Sequence, residues 1–276
     1  MMLKNKIDFA VIITAEMCNP NGDPLNGGRP RQDMDGFGEI SDVCLKRKIR
    51  DRLIEMGEPL LMVPTVSSGS LSIVSIVKGN KELMSEIDKK NKADVQKIIR
   101  IASNTWFDVR AFGQLFPFKG DSASVGIRGP VTIGIARSIA PVEIQDVGIT
   151  KSINSVEDGP IKDSSTFGVR HIISHGAYVA YGSIFPQLAE LTGFSDDDAE
   201  KIHQALIHLF DNDASAARPS GSMSVNRLYW WKHPGKQGLW PAGKLFRALH
   251  FTPLDEYPYY SVTSDAFPVS PEIYQE

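Results

Sequence analysis

The chain has 276 residues, 42% of them hydrophobic, and a net charge of −3, an ordinary balance for a soluble protein of one large domain or two small ones. No run of about 18 apolar residues occurs, which argues against a membrane helix; the polar start Met1–Lys6 lacks the apolar core of a signal peptide. Two cysteines, Cys18 and Cys44, without a CxxC spacing argue against a disulfide framework or zinc site and for the reducing cytoplasm, and the near-neutral charge argues against a general polyanion binder while leaving room for a basic face.

Ile7, Phe9, Val11 and Ile13 alternate with Asp8, Ala10, Ile12 and Thr14, and this period of two predicts a strand. The chain then enters Cys18-Asn19-Pro20-Asn21-Gly22-Asp23-Pro24, followed by Gly27-Gly28-Arg29-Pro30-Arg31. Through Gly38 its density of Gly, Pro, Asn and Asp predicts a loop, with neither helix nor strand interior. A loop this long is usually functional or disordered. Ser41 or Asp42 then caps a helix to about Met56, stopped by Gly57. Leu45, Ile49, Leu53 and Met56 share one face. Lys46, Arg47 and Arg50 share the next, with Lys48 and Arg52 on the other flank.

Residues 59 to 105 read as an inserted piece, with a short strand near Leu71–Val77 and a charged helix near Leu83–Ala102. Trp106–Phe118 contains Asp108-Val109-Arg110-Ala111-Phe112-Gly113. In the next strand Val131, Ile133 and Ile135 point one way, and Thr132, Gly134 and Ala136 the other. Residues 145 to 168 are polar and turn-rich, and Gly168–Phe185 reads as a long strand. A helix over 196 to 211 is capped by Ser195 and turns Ile202, Leu206 and Leu209 to the core. Ser224–Lys232 is the final strand, carrying Arg227, Tyr229, Trp230 and Trp231. Strand, helix, insertion, strands, helix, strand is the split βαβ order of the α+β ferredoxin-like and RNA-recognition folds.

Five features carry possible chemistry. Five cations within residues 46 to 52 would repel one another on an isolated helix; a polyphosphate would relieve that, and so would simple solvation. Residues 214 to 254 hold Arg218, Arg227, Lys232, Lys236, Lys244 and Arg247, with Tyr229, Trp230, Trp231 and Trp240 and no acid. That mixture suits phosphates and stacked bases, although the tryptophans read better as core. The loop over 18 to 38, beside a helix N-terminus, offers N–H groups and Asn amides to phosphates, or is plain loop; no GxxxxGK[ST] pattern exists. Asp23, Asp33 and Asp35 are candidate Mg²⁺ ligands, but Asp is also a common turn residue. His171 and His175 are poorly spaced for chelation and read as structural. No metal or cofactor is called for, and no common hydrolase motif occurs.

The run Asn19-Pro20-Asn21-Gly22-Asp23-Pro24, then Gly28 and Pro30-Arg31, then Ser41-Asp42-Val43-Cys44-Leu45-Lys46-Arg47-Lys48-Ile49-Arg50, closely resembles the backbone subunit of type I CRISPR surveillance complexes (Cascade), in its type I-C form. Asp108–Gly113 and Ile149-Thr150-Lys151-Ser152 fit the same family, and the likeness covers the whole chain. It implies one modified RNA-recognition domain over residues 1 to 276, shaped like a hand. The palm carries a finger insertion over 59 to 118 and a β-hairpin thumb over 145 to 168. It implies a non-catalytic subunit of the RAMP superfamily, polymerised head to tail along one CRISPR RNA. A neighbour's thumb flips out a nucleotide at intervals, and the bases between pair with target DNA. Other Cascade subunits, the foot or cap and the large and small subunits, complete the complex, which recruits a nuclease-helicase.

On this resemblance Asn19, Asn21, Ser41, Lys46, Arg47 and Arg50 match palm contacts to RNA phosphates, and Thr150, Lys151 and Phe167 are thumb candidates. Charge and position add Arg110, Arg170, Arg218 and Arg227 as RNA-binding residues. The RNA-recognition signature K/R-G-F/Y-G/A-F-V-x-F/Y is absent, so bases are not expected to stack on the sheet. A holder of variable guides reads phosphate and shape, while pairing reads sequence. Two rivals stand beside this reading. One is a metal-dependent target-RNA endonuclease of type III kind, using an aspartate such as Asp33 in the loop after the first strand. The other is a single-strand binder unrelated to CRISPR.

Overall fold

The computed structural model describes residues 1–64, 72–89, 93–116, 125–150 and 167–276. In chain order the first elements are strand β1 (Ile7–Cys18), two-residue strands β2 (Gly22–Asp23) and β3 (Arg29–Pro30), β4 (Phe37–Ile40) and helix α1 (Asp42–Glu55). Helices α2 (Ile73–Gly79), α3 (Lys81–Ile87), α4 (Val95–Thr105) and α5 (Phe107–Phe112) follow. Then come β5 (Gly113–Phe116), β6 (Val125–Arg128), β7 (Val131–Ile133), β8 (Ala136–Pro141), β9 (Ile144–Thr150) and β10 (Phe167–Ile184). The rest is α6 (Pro186–Thr192), α7 (Asp196–Ile207), β11 (Met223–Lys232), α8 (Ala242–Arg247), β12 (Leu249–Pro253), β13 (Tyr260–Ser264) and β14 (Glu272–Gln275).

The main sheet runs β14-β11-β1-β10-β8-β4, with β7 and β9 also paired to β10. Every pairing in it is antiparallel. The expected strand–helix–strand–strand–helix–strand succession is traced by β1, α1, β8, β10, α7 and β11. Ser41 caps α1 by accepting from Cys44 N–H, and Gly57 follows its last turn at φ 82°. Ser195 and Asp198 form a reciprocal capping box on α7.

Both faces of the sheet are covered. Phe9, Val11 and Ile13 of β1 pack with Leu45, Ile49 and Leu53 of α1 and Ile202 and Leu206 of α7. Ala10 and Ile12 point the other way, into a second core with Tyr229, Trp231, Leu245 of α8 and Tyr260 of β13. Alternation in β1 therefore separates two cores, not core from solvent. The segment after β11 supplies the second cover, so Ser224–Lys232 is not the final strand; β14 pairs with β11 beyond it.

Other expectations need correction. The Gly/Pro loop is organised: β2 pairs with β3, and Pro24–Asn26 makes a 3-10 turn. The strand expected near Leu71–Val77 is helix α2 from Ile73, because Ser72 accepts from Ser75 N–H and starts a turn that the β-branched residues tolerate; Leu71 lies outside the described residues. The charged helix is two, α3 and α4. Asp94 restarts the second by accepting from Gln96 and Lys97 N–H. Ile135 does not share the buried face of Val131 and Ile133. Gly134 and Ile135 fall between β7 and β8, leaving Ile135 exposed and Ala136 buried. Residues 144 to 150 are strand β9, paired with the first residues of β10 as an arm. Helix α7 ends at Ile207, short of 211. Leu61, Leu83, Ile98, Trp106, Phe116 and Ile127 form a separate core within the inserted piece.

Candidate nucleic-acid interface

The basic flank of α1 solves its self-repulsion inside the protein. Lys46 Nζ lies 3.0 Å from Asp42, Arg47 bonds Asp51 at 2.6 Å, and Arg52 bonds Glu55 at 2.7 Å. Lys48 pairs with Asp213. The charge run therefore does not by itself demand a polyphosphate. Lys46 and Arg47 keep 28% and 32% of their side chains exposed, and exposed pairs of this kind are worth only about 0.3–0.5 kcal/mol. A phosphate can replace such a partner at little cost.

Arg50 and Arg110 are placed differently, each paired with an internal carboxylate. Arg50 Nε donates to Asp108 at 3.0 Å and its guanidinium lies over the Phe112 ring. Asp108, fully buried, also accepts from Leu61 and Met62 N–H. Arg110 makes a bidentate pair with Asp198 at 2.9 and 3.0 Å and donates to Ser103 O. The Asp108–Gly113 motif is thus a clamp joining α1, α5 and α7. Gly113, at φ 81°, ends it where a Cβ would stand 2.1 Å from Ile127 O.

The loop after β1 meets α1 and the 210–222 segment in one place. Asn19 N–H donates to Ala217 O, and its Nδ2 donates to Gly28 O at 2.7 Å. Asn21 Oδ1 accepts from Ser41 N–H at 2.9 Å, fixing the loop to the start of α1. Asn19 and Asn21 therefore brace the loop, each through one side-chain amide bond. Ser41 caps the helix, whose N-terminal dipole favours anions. Arg218 Nε bonds Asp213 at 3.1 Å, the carboxylate that also receives Lys48. Two cations on one carboxylate leave a surplus positive charge beside a cavity lined by Arg218, Ser220, Gly221 and Ser222. Arg31 adds a third cation, 3.4 Å from Asp23. It was missed as a site residue although it stands in the Pro30-Arg31 pair. Its Nε, Asn19 Oδ1 and Ser222 Oγ are buried without hydrogen-bond partners among the described residues.

The remaining expected residues lie apart. Thr150 is exposed at the end of β9, opposite Phe167 in register, and Arg170 is exposed on β10 opposite Val147. Lys151 lies outside the described residues. The arm is tied to the loop by Arg29, 2.9 Å from Asp146, which also sits 2.7 Å from His171 Nδ1. Bonds from His171 and Arg29 hold the Asp146 carboxyl below its usual range against partial desolvation. No local sequence signal announces a contact spanning 117 residues. Arg227 donates to Gln275 and Tyr229 hydroxyl, both neutral. Trp230 and Trp231 are core, as the bland reading had it.

The acidic candidates act as turn and ion-pair partners. Asp23 accepts from Leu25 N–H. Desolvation works to raise the Asp33 pKa, but bonds from Arg137 and from Phe37 and Asp35 N–H prevail and lower it. Among the described residues no three His, Cys, Asp or Glu side chains cluster as metal ligands. His175 stacks on Tyr259 at 4.5 Å. Burial pushes the Cys18 thiol up to about 11, so it stays protonated at neutral pH. No helix among the described residues is long and apolar enough to cross a membrane.

Comparison with known proteins places this geometry in a family. A curated relative from Haloferax volcanii, described as CRISPR-associated protein Cas7, is 26% identical over 249 residues, covering 83% of this chain and 70% of its own. Two chains from solved structures share the fold at a TM-score of 0.50. One, titled CRISPR RNA-guided surveillance complex, pre-nicking, is 14% identical over 82% of this chain and 77% of its own. The other, titled CRISPR RNA-guided surveillance complex, is 15% identical over 91% of this chain and 77% of its own. The family described as CRISPR-associated protein Cas7 matches residues 5–266, nearly the full length, and the chain belongs to it.

Proposed function

We propose that this chain is the non-catalytic backbone subunit of a cytoplasmic type I-C Cascade. It grips CRISPR RNA by its phosphates and lines up head to tail with further copies in a helical filament. It presents the bases between contacts to target DNA, beside foot or cap, large and small subunits, for a nuclease-helicase to follow. The main sheet with α1 and α7 serves as a palm, since β11-β1-β10-β8 repeats the ferredoxin-like strand order. Residues 59 to 118 serve as fingers and 145 to 168, of which 151 to 166 lie outside the described residues, as thumb, with Thr150, Lys151 and Phe167 within it and Arg170 just beyond.

The observation that carries the reading is the convergence at one end of the sheet. The N-terminus of α1, the Asn19–Arg31 loop and the Arg218 segment meet there, joined through Lys48 and Asp213, with Lys46 and Arg47 on the other flank of α1. Replaceable surface partners and surplus positive charge suit a phosphate chain. The covered sheet leaves no open face for base stacking, which fits a holder of guides of any sequence. Arg227 is a further contact on the opposite face; Arg50 and Arg110 belong to the scaffold.

The test is to express the protein with a repeat-spacer transcript, extract and sequence the bound nucleic acid, and size the particle. Guide RNA in an elongated multimer, lost from the Lys46→Ala/Arg47→Ala/Arg218→Ala variant, supports the reading. A nucleic-acid-free monomer under these conditions contradicts it. The endonuclease rival requires Asp33 to exchange Arg137 for a metal. Metal-dependent shortening of target RNA, abolished by Asp33→Ala, would put that rival first.

A further inference from the structure

Asn19 is 7% exposed, and its two amide atoms have opposite fates. Nδ2 donates to Gly28 O at 2.7 Å, while Oδ1 is buried with no donor among the described residues. The amide cannot be turned round, because Oδ1 would then face the Gly28 carbonyl, acceptor against acceptor. The backbone holds the residue in place as well: its N–H donates to Ala217 O, and a Cβ on Gly22 would stand 2.9 Å from Gly28 O and 3.5 Å from Nδ2. A buried acceptor without a donor costs about 1–3 kcal/mol, so the site is poised for a ligand that donates.

A phosphate has only acceptor oxygens to offer at neutral pH and cannot meet this need. A base N–H can donate, but a guide of varying sequence presents no constant one. The ribose 2′-hydroxyl donates and recurs at every nucleotide of RNA and at none of DNA. The neighbouring unpaired atoms have the complementary character. Arg31 Nε is a donor, and Ser222 Oγ can donate. Both segments are tied to the residues flanking Asn19: Arg31 N–H donates to Asn21 O, and the Cys18 thiol donates to Ser222 O at 3.5 Å. One acceptor among cations and hydroxyls matches a sugar beside a phosphate.

We infer that Asn19 Oδ1 accepts a hydrogen bond from a guide ribose 2′-hydroxyl and so sets the preference for RNA over DNA. The inference rests on the guide-RNA reading and names the atom that reads the sugar. It replaces the phosphate role expected for Asn19. Binding opens the turn between Gly22 and Gly28 enough to admit the hydroxyl, and the Nδ2 bond to Gly28 is retained.

The experiment measures binding of the full chain to one sequence as RNA, as 2′-fluoro RNA and as DNA. The 2′-fluoro strand keeps an RNA-like sugar pucker but has no donor. Wild type is expected to bind RNA about tenfold tighter than 2′-fluoro RNA, the worth of one such bond. Asn19→Ala is expected to bring the two within about twofold, whatever the lost brace to Gly28 O does to the affinity for both. Equal wild-type binding to RNA and 2′-fluoro RNA overturns the inference without any variant, as does a full ratio in Asn19→Ala. Wild type that binds neither strand overturns the guide-RNA reading itself, and the inference with it.

Discussion

Two groups of arginines on this chain look alike in sequence and differ in circumstance. Arg50 and Arg110 reach buried carboxylates, Asp108 and Asp198, and clamp α1, α5 and α7 together. Arg47 pairs with Asp51 where both are about a third exposed, while also donating to Met62 O, and Arg218 shares the partly buried Asp213 with Lys48 beside the loop. A buried pair is costly to break because it leaves an uncompensated charge, whereas a surface pair is nearly free to exchange. The carboxylate's depth, more than the number of cations, separates scaffold from interface.

The comparison breaks most sharply at Asp108. Asp108→Ala orphans Arg50 and two backbone N–H groups, and should cost about 3–5 kcal/mol in urea unfolding, read as a lower midpoint at unchanged slope. Arg110→Ala strands Asp198 and should cost about 2–3 kcal/mol, with RNA affinity per folded molecule unchanged. If RNA binding is lost while stability holds, Arg110 returns to the interface. Lys46→Ala and Arg47→Ala should invert that pattern, with stability shifts of only about 0.5 kcal/mol and weaker RNA binding.

The smallest effect is confined to the inserted piece. There Asp94 N–H, then Lys89 and Lys97, hold the buried Glu86 carboxyl down to about 2, against partial desolvation. A depressed carboxyl stabilises above its unfolded value of 4.5 and loses that contribution as pH falls towards about 2. Amide exchange over α3 and α4 should therefore accelerate through that window. Glu86→Gln should already exchange fast at pH 7 and show no such acceleration.

Local signals were legible in the sequence. Ser41, Gly57 and Ser195 marked helix ends because caps act within a few residues. The run Ile7–Thr14 marked a strand because the period belongs to the strand itself. What failed depended on distant partners. The second face of β1 looked merely alternate until α8 and β13 covered it. Within the basic run 46 to 52, the partners of Lys48 and Arg50, Asp213 and Asp108, lie far along the chain. The stretch Ile73–Val77 looked extended because β-branched residues outvoted a single capping serine. The loop-helix motif was readable as a family likeness, but which of its atoms are spent internally was not.

The central claim, a phosphate grip at the loop-helix junction, is tested most directly by the salt dependence of RNA binding. For single strands each phosphate contact contributes a slope of roughly −0.7 in log K against log salt. Wild type should show a steep line. Removing Lys46, Arg47 and Arg218 together should flatten it by about 2, whereas Arg110→Ala should leave the slope alone. An unchanged slope in the triple variant, or a flattened one in Arg110→Ala, would contradict the account.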